Sequence, residues 1–493
     1  MSWGIYPVVR VFAMLLQVPA LGSDAEDRAR LAQLLGGTGT ENFLLRLDGV
    51  STVGWSHGRT VGLQLTTVYN STLPFSLNDG ALWAGRGWSQ VLQAGFGARW
   101  GRVTLVLAPA LVSTQNRAYE MPGDSVQLPR PPGRSDYSTP WHVGAYSIDL
   151  PLRFGSGHYT RLDPGQSTLA ADFGPVSVGV STANEWWGPG IHNAIVLSNN
   201  APGIWRTFAQ FRSKSVTARW MLGGLFESPY FDSTTTNDRR SFNALAITWT
   251  PHPAPHLTIG AARTVYAPLE SWSGLWRRSL DVLRGNGDHA RNQVVSLFGR
   301  WVFPADGFAV HAEWARNQLP GSLRELLVSP NHTQGYTLGL EWARPVGDAG
   351  AAVRLQAELT DLEKSPAYRN LHEETWYTGD AAAQGYTQRG QVIGAAIGPG
   401  ASSQWVGGDY MARRWRAGLF VGRIRWDDDA LYLFPSTTNK QLLHDVSVFG
   451  GIRAATRLRL GLLEASLTVG NRLNESYEVS TMSTTTLALR FTP

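Results

Sequence analysis

The sequence predicts an all-β protein: a large transmembrane antiparallel β-barrel of about 18 strands, with a short N-terminal helix and a candidate extra helix near residues 271–283. Three observations lead to this fold class. Apolar and polar side chains alternate with a two-residue period, the composition favours strands and turns, and no apolar run after residue 22 approaches the roughly 18 residues that a membrane-spanning helix needs. The 493 residues include 53 Gly, 20 Trp, 18 Phe and 15 Tyr but only 16% charged residues. Glycine is common in turns and aromatic residues are common in strands.

The clearest strand covers residues 353–360. One face is apolar and the other is polar, in the order Val353, Arg354, Leu355, Gln356, Ala357, Glu358, Leu359 and Thr360. In a membrane barrel the apolar face points at lipid and the polar face lines the lumen. Roughly twenty segments have about ten residues each, the length that crosses a bilayer at a tilt near 45°. They include residues 143–152, 169–182 and 390–397, and they predict an even strand count in the high teens.

The last strand ends on an aromatic residue, because Leu487, Leu489 and Phe491 alternate with Thr486, Ala488 and Arg490. It resembles the C-terminal signature by which the outer-membrane assembly machinery recognises its barrels, although Thr492 and Pro493 follow the phenylalanine. Tryptophans near strand ends are predicted to form the aromatic girdles found at membrane interfaces. They are Trp100, Trp249, Trp301, Trp342 and Trp426.

The N-terminus resembles a secretory signal peptide over residues 1–22. Arg10 precedes the apolar run 11–16. Ala20-Leu21-Gly22 then matches the cleavage-site pattern of signal peptides, in which two small residues flank any third residue. Residues 23–41 are predicted to be a periplasmic helical segment, because acidic side chains begin it and leucines follow at helical spacing. Residues 42–493 are assigned to the barrel. The chain is therefore predicted to be exported to the cell outer membrane of a Gram-negative-type bacterium.

Charge and cysteine content exclude several classes of site. The formal net charge is +5, from 43 Lys+Arg and 38 Asp+Glu, and the arginines are spread along the chain rather than gathered into a stripe that would bind nucleic acid. Lipid headgroups or an acidic glycan are the anionic partners that fit this distribution. The chain has no cysteine, so it has no disulfide and no Cys-ligated metal site.

One motif differs from the strand pattern: Glu185-Trp186-Trp187-Gly188-Pro189-Gly190-Ile191-His192-Asn193. The chain must turn sharply here, because proline lacks a ladder donor and glycine readily adopts positive φ. Indole faces beside amide and imidazole groups suit a sugar, whose C–H faces stack on the rings while its hydroxyls meet the polar groups. The candidate polysaccharide-binding residues are Trp186, Trp187, His192, Asn199 and Asn200. The alternative interpretation is a structural turn that fixes the barrel interior.

These residues also carry a family resemblance. The run WWGPGIHNAIVLSNNAPGI, residues 186–204, resembles the signature of the capsule-assembly Wzi family of outer-membrane proteins. Residues 242–266, residues 292–314, and Gly385-Tyr386-Thr387 with residues 394–400 are similar to further segments of that family. The likeness spans roughly residues 180–410.

The resemblance implies an outer-membrane barrel with a periplasmic helical element. It also implies a lectin-like anchor that attaches capsular or related surface polysaccharide to the cell surface. The expected partners are that polysaccharide together with outer-membrane lipid and lipopolysaccharide. Arg413, Arg414 and Arg416 are candidate contacts for an acidic glycan, with a solvated barrel rim as the alternative.

Enzymatic functions find little support in the sequence, so we predict no catalytic residue, no metal and no cofactor. The adjacent carboxylates Glu373-Glu374 and 427–429 favour solvated loops over a glycosidase pair, since neighbouring residues on a strand face opposite sides. His311 and Glu313 share a strand face, but a hydrogen bond in the lumen explains them better than a metal site without a third ligand. The main competing function is a porin-like channel for small solutes, lined by Arg219, Glu313, Arg354 and Glu358.

Overall fold

The computed structural model describes residues 21–37, 43–47, 63–122, 133–284, 291–319, 322–347, 350–369, 373–433 and 443–493. The predicted signal peptide lies almost entirely outside the described residues. Described helices are few and short: α1 is Asp24–Leu34, α2 is Leu323–Val328 and α3 is Asp428–Leu431. Short 3-10 helices occupy Gly144–Tyr146, Trp272–Arg278, Asp281–Leu283 and Glu475–Tyr477. None of these described helices has the length and apolar character needed to cross a membrane.

The described residues form 25 strands. They are β1 Leu45–Leu47, β2 Gln64–Asn70, β3 Gly87–Gln93, β4 Phe96–Trp100, β5 Val103–Leu107, β6 Ala110–Thr114, β7 Tyr159–Asp163, β8 Thr168–Phe173, β9 Val176–Ser181, β10 Glu185–Trp187, β11 Trp205–Arg212, β12 Val216–Phe226, β13 Arg239–Trp249, β14 Leu257–Pro268, β15 Asn292–Phe303, β16 Phe308–Asn317, β17 Gln334–Val346, β18 Ala351–Asp361, β19 Thr387–Gln388, β20 Gln391–Val392, β21 Ser402–Met411, β22 Trp415–Arg425, β23 Val446–Leu458, β24 Gly461–Leu473 and β25 Thr481–Thr492.

Twenty-one of these strands close into one antiparallel barrel. The ring closes where β25 pairs with β2, with Leu65 opposite Phe491. In three places two consecutive strands lie end to end and cross the wall as one unit: β3 with β4, β5 with β6, and β7 with β8. These units are hydrogen-bonded side by side, through the pairs β3–β6, β4–β5, β5–β8 and β6–β7. Counting each such unit as one stave of the wall, the described strands build 18 staves. The predicted fold class and strand number are therefore confirmed.

The barrel wall is inverted relative to a soluble protein. On β18 the polar side chains of Arg354, Gln356 and Glu358 are at most 4% exposed, whereas Leu355 on the opposite face is 47% exposed. A sheet with a buried polar face and an exposed apolar face fits a hydrocarbon surrounding rather than water. The same arrangement recurs around the wall.

The two ends of the barrel differ in their connections. Short turns join staves at one end, here called the short-turn end: residues 101–102, 174–175, 213–215, 250–256, 304–307, 347–350, 412–414 and 459–460. Longer connections join them at the other end, the long-connection end, and include residues 71–86, 115–158, 182–204, 227–238, 269–291, 362–401 and 426–445. Chain entry through β2 and exit through β25 both lie at the short-turn end.

Tryptophans mark the short-turn end as predicted. Trp100, Trp249 and Trp301 are 45–52% exposed on the outer face, and Trp342 lies on the same face, partly buried. The prediction for Trp426 is wrong. Its side chain points inward at the long-connection end, where its indole nitrogen donates to the Ser447 hydroxyl at 2.8 Å.

Four predicted elements differ from the structure. Residues 143–152 hold a 3-10 turn and irregular chain instead of a strand, and residues 390–397 contribute only β20, inside the lumen. Residues 169–182 form two staves, because the chain reverses at Gly174 and Pro175. The candidate helix at 271–283 is a pair of 3-10 turns outside the wall.

Candidate functional site: the lumen plug

Two long connections fold back into the barrel and meet the N-terminal segment there. They are residues 182–204 and 373–401, and together with α1 and β1 we call them the lumen plug. Its core includes Trp187, Ile195, Val196, Tyr377 and Tyr386, all at most 1% exposed. These side chains pack against inward residues of β12 to β16, so the plug and the wall share one hydrophobic core.

Glycines allow the motif to turn inside the lumen. Gly188 has φ +123°, and a Cβ built on it would lie 2.7 Å from Oε2 of Glu313 on the wall. At Gly190 a Cβ would lie 2.0 Å from the carbonyl oxygen of Asn193. Gly188 therefore packs against the wall and Gly190 against the backbone of the motif itself, and both contacts are shorter than a side chain tolerates.

Both tryptophans of the motif are buried. Trp186 is 2% exposed and Trp187 is fully buried, on β10, which pairs antiparallel with β1. The Arg46 guanidinium lies 4.4 Å from the centre of the Trp186 ring, and the Trp187 indole N–H donates to Glu185 Oε2 at 3.0 Å. Neither indole presents a free face, so the structure gives them a packing role. Direct stacking on a sugar would require the plug to move and stays an untested prediction.

Glu185 ties β10 to the wall through two arginines. Its Oε1 accepts from Arg206 at 2.6 Å and from Arg219 at 2.5 Å, and all three side chains are buried. Burial by itself raises the pKa of the Glu185 carboxyl, but the charges of Arg219 and Arg206 outweigh it and hold the pKa at about 2. Glu185 is therefore ionised under ordinary conditions, and this buried triad carries one net positive charge.

Two carboxylates of the wall bind the backbone of the motif. Glu358 accepts hydrogen bonds from the amide N–H groups of Ile191, His192 at 2.9 Å and Asn193 at 2.8 Å. Glu313 accepts from the Ser296 hydroxyl at 2.7 Å and from the Ile195 N–H at 3.3 Å. Donors that a sharp turn leaves without a ladder partner are thereby satisfied.

The other predicted polysaccharide residues also lie within the plug. The His192 ring sits 4.0 Å from the Trp405 ring, centre to centre, and burial lowers its pKa to about 4, so it is neutral at physiological pH. Asn200 donates to the Val392 carbonyl at 3.0 Å and accepts from the Asn78 N–H at 3.0 Å. Asn199 is 9% exposed. The structure thus brings these residues near one another, in the barrel interior.

Sequence reasoning missed two tyrosines that hold the plug together. Tyr377 donates its hydroxyl proton to the Ile195 carbonyl at 2.8 Å, and Tyr386 donates to the Val196 carbonyl at 2.7 Å. Their rings stack with centres 5.6 Å apart. The Gly385-Tyr386-Thr387 segment, which the family resemblance singled out without giving it a role, is the signal that could have found Tyr386; no pattern in the sequence marked Tyr377.

The helix α1 occupies the short-turn end of the lumen. Ser23 caps it by accepting from the Glu26 N–H at 3.4 Å. Its Asp27 carboxylate pairs with Arg354 at 2.7 Å and with Arg416. Burial raises the pKa of Asp27, but the charges of Arg354 and Arg416 outweigh it and hold that pKa far below its usual range. The helix is therefore fixed to the wall by its acidic first turn.

The arginines predicted to contact an acidic glycan lie at this same end. Arg416 is 6% exposed and pairs with Asp24 and Asp27 of α1, so its side chain is committed to the helix. Arg413 and Arg414 lie exposed in the β21–β22 turn at the short-turn end. The structure therefore separates them from the long connections and from the other predicted site residues.

The residues proposed to line a channel all face inward, as predicted, but each contacts the plug. Arg219 binds Glu185, Arg354 binds Asp27, and Glu313 and Glu358 bind the backbone of the motif. Hydrogen bonds and ion pairs to the plug thus replace the water contacts that a channel lining makes.

The acidic run 427–429 is buried rather than solvated, which corrects the sequence prediction. Asp427 accepts from His142 at 2.6 Å and from the Trp141 indole N–H at 3.1 Å. Asp429 accepts from the Lys364 N–H at 2.8 Å, and burial raises its pKa to about 7. Among the described residues no group of three or more His, Cys, Asp or Glu side chains is arranged to hold a metal ion.

Comparison with known proteins supports the fold. No protein-family model and no curated protein matches the sequence. A solved structure similar to this chain is that of Wzi, described as an outer membrane protein involved in group 1 capsule assembly in Escherichia coli and as a carbohydrate-binding beta-barrel. The TM-score is 0.58 at 13% identity, and the match covers 87% of this chain and 84% of that one. The structure of Acinetobacter baumannii OccAB3 has a TM-score of 0.44 at 10% identity, and the match covers 88% of this chain and 98% of that one. A BenF-like porin from Pseudomonas fluorescens Pf-5 has a TM-score of 0.41 at 10% identity, and the match covers 88% of this chain and 97% of that one.

Proposed function

We propose that this protein is an outer-membrane barrel that anchors capsular or related surface polysaccharide to the cell, without enzymatic activity. The observation that carries the proposal is the lumen plug. Wall side chains that would serve a channel bind plug residues instead, and the plug shares its core with the wall. The fold likeness to Wzi, described as a carbohydrate-binding barrel, supports the same function.

We assign the long-connection end to the cell surface, where it would meet the polysaccharide. Bacterial outer-membrane barrels have short periplasmic turns and longer extracellular loops. By that rule α1 faces the periplasm, and residues 115–158, 227–238 and 362–401 connect staves at the cell surface. Arg413 and Arg414 then face the periplasm, which removes them from the proposed glycan surface.

Partly exposed aromatic rings between the long connections offer a better stacking surface than the buried tryptophans. Tyr137 and Tyr230 stand edge to face with ring centres 5.8 Å apart, and Tyr230 also packs against Phe154 at 5.5 Å. Rings held at fixed angles by neighbours can meet the C–H faces of a sugar at little entropic cost. We assign Trp186 and Trp187 a structural role: they pack inside the lumen plug and support the long connections from the barrel interior.

Deleting the gene and measuring cell-bound against shed polysaccharide tests the function. We expect the cell-bound fraction of the polysaccharide to fall while its total synthesis is unchanged. An unchanged cell-bound fraction would refute the anchoring function. Complementation with Tyr137→Ala and Tyr230→Ala together should restore assembly but not retention. The matched control with Tyr137→Phe and Tyr230→Phe keeps both rings and should restore most of the retention.

A further inference from the structure

The connection between β14 and β15 forms a lobe on the outside of the barrel, here called the exterior lobe, residues 269–284. Its Trp272 ring covers Gly224, where a Cβ would lie 2.5 Å from the ring. The Trp220 indole N–H donates to the Ser279 carbonyl at 3.2 Å, and the Val282 N–H donates to Asn243 Oδ1 at 2.8 Å. These wall residues alternate with inward-facing core residues such as Met221, so the lobe lies on the outer face.

The exterior lobe has a fixed inner side and an apolar outer side. Asp281 and Val282 are 2% and 3% exposed against the wall. On the outer side Trp276, Leu280 and Leu283 are 62%, 56% and 66% exposed. Three large apolar side chains exposed together on a short, well-anchored segment mark an interaction surface.

Positive charge borders this apolar side. The single buried carboxylate of Asp281 pairs with Arg278 at 3.4 Å, Arg284 at 3.0 Å and Arg291 at 3.3 Å. Arg277 lies exposed next to Trp276, and Glu270 is the other acidic residue of the described lobe. The arginines outnumber the carboxylates, so the lobe presents excess positive charge next to its apolar side.

The lobe is continuous with the part of the wall that faces hydrocarbon. Towards the short-turn end, the same strands expose Ile247 at 44%, Ile259 at 41% and Leu297 at 55% on the outer face. The lobe starts at the long-connection end and reaches along the outer face as far as Trp220 and Asn243, near the middle of β12 and β13. Aromatic and arginine side chains are favoured where the membrane meets water, because each combines an apolar body with a polar end.

We propose that the exterior lobe binds a phosphorylated glycolipid with several acyl chains, which is the chemistry of the lipid part of lipopolysaccharide. Arg277, Arg278 and Arg284 would meet its phosphates, and Trp276, Leu280 and Leu283 would lie along its acyl chains. Charge complementarity and continuity with the lipid-facing wall select this occupant over a protein partner. The inference does not depend on polysaccharide anchoring, since it concerns the opposite face of the wall from the lumen plug.

Native mass spectrometry of the purified full-length protein with bis-phosphorylated lipid A tests the proposal. Arg277→Gln with Arg284→Gln should weaken lipid A binding about 25-fold, because each basic residue near an anionic lipid surface contributes roughly a factor of five. Arg413→Gln with Arg414→Gln removes the same charge from the opposite end and should leave occupancy unchanged. The first variant should not alter binding of lipid A whose phosphates have been removed.

A second variant tests the apolar side: Trp276→Ser, Leu280→Ser and Leu283→Ser together should weaken binding of both lipids. Leu460→Ser, in the β23–β24 turn, is its control. Heat-dependent mobility in gels verifies that each barrel is folded. The proposal is overturned if folded arginine variants bind lipid A within twofold of the wild type, if they lose both lipids equally, or if the lobe variants change oligomeric state while keeping lipid A.

Discussion

Replacing Glu185 by Gln should release the lumen plug locally while leaving the barrel intact. The substitution keeps the size of the side chain but removes the charge that Arg206 and Arg219 share at 2.6 and 2.5 Å. Two buried guanidiniums then lack a counter-charge, a situation that costs about 3–5 kcal/mol. The pKa of Glu185, about 2 against an ordinary 4.5, gives about 3 kcal/mol for the same interaction.

Hydrogen exchange of the amides in residues 182–204, followed by mass spectrometry, measures this opening directly. A loss of about 3 kcal/mol should accelerate exchange roughly 150-fold in this segment, with wall peptides unchanged. Glu227→Gln is a matched control, because burial raises the pKa of Glu227 to about 8 and the substitution hardly changes its charge. Acceleration of less than about fivefold in Glu185→Gln would refute the reasoning from the buried triad.

Further predictions concern packing and pH. Gly188→Ala should impair assembly, because the new Cβ would lie 2.7 Å from Glu313 on a backbone with φ +123°. Gly157→Ala is its control and should assemble normally, because no atom lies within 4 Å of the new Cβ. The measurement is the fraction of each variant that is folded in membranes. Trp187→Ala should lower the free energy of unfolding, measured with a chemical denaturant, by about 3–5 kcal/mol, because it leaves a cavity in the shared core. A decrease below about 1 kcal/mol would contradict that packing. The Asp429 carboxyl, with a pKa raised from 3.8 to about 7, stabilises the fold when protonated, so its contribution is fully present below pH 3.8 and is lost as the pH rises through 7. Asp429→Asn should therefore flatten the fall in unfolding temperature measured from pH 5 to pH 8.

Acid should act on the lumen plug in the opposite direction. The folded-state pKa of Glu185 lies below its ordinary value, so its stabilising contribution is present above pH 4.5 and is lost as the pH falls towards 2. The pKa of Glu26 in α1 is also lowered, because the charges of Arg46 and Arg30 outweigh burial. The protection factors of the plug amides, which correct for slower intrinsic exchange in acid, should therefore fall below about pH 4.5 in the wild type and much less in Glu185→Gln.

The barrel wall could be predicted from the sequence because one face of each stave meets lipid. That environment leaves a two-residue alternation, as in residues 353–360, and the structure confirms it there. The lumen plug carries no such period, since side chains on every side of it are buried. Residues 143–152 and 390–397 have apolar side chains typical of strands, but their backbone is irregular and is held by distant partners.

The motif at 185–193 was predicted to turn sharply, and the structure confirms the turn. Its surroundings could not be predicted, because Glu185 meets Arg219, and Tyr386 meets Val196, across separations that only the closed barrel brings together. The acidic run 427–429 was misjudged for the same reason: His142 and Lys364, which bind it, come from other long connections. Membership of the Wzi family stays a prediction, whereas the barrel fold is established.

Single-channel conductance in planar bilayers tests most directly whether the plug makes this barrel an anchor rather than a pore. We expect the wild-type protein to give no stable open-channel currents, because the plug is fixed to the wall by Glu185, Asp27 and the backbone bound to Glu358. Glu185→Gln, measured in parallel, should show brief openings as the plug moves. Stable currents through the wild-type barrel at neutral pH would contradict the account and favour a channel for small solutes.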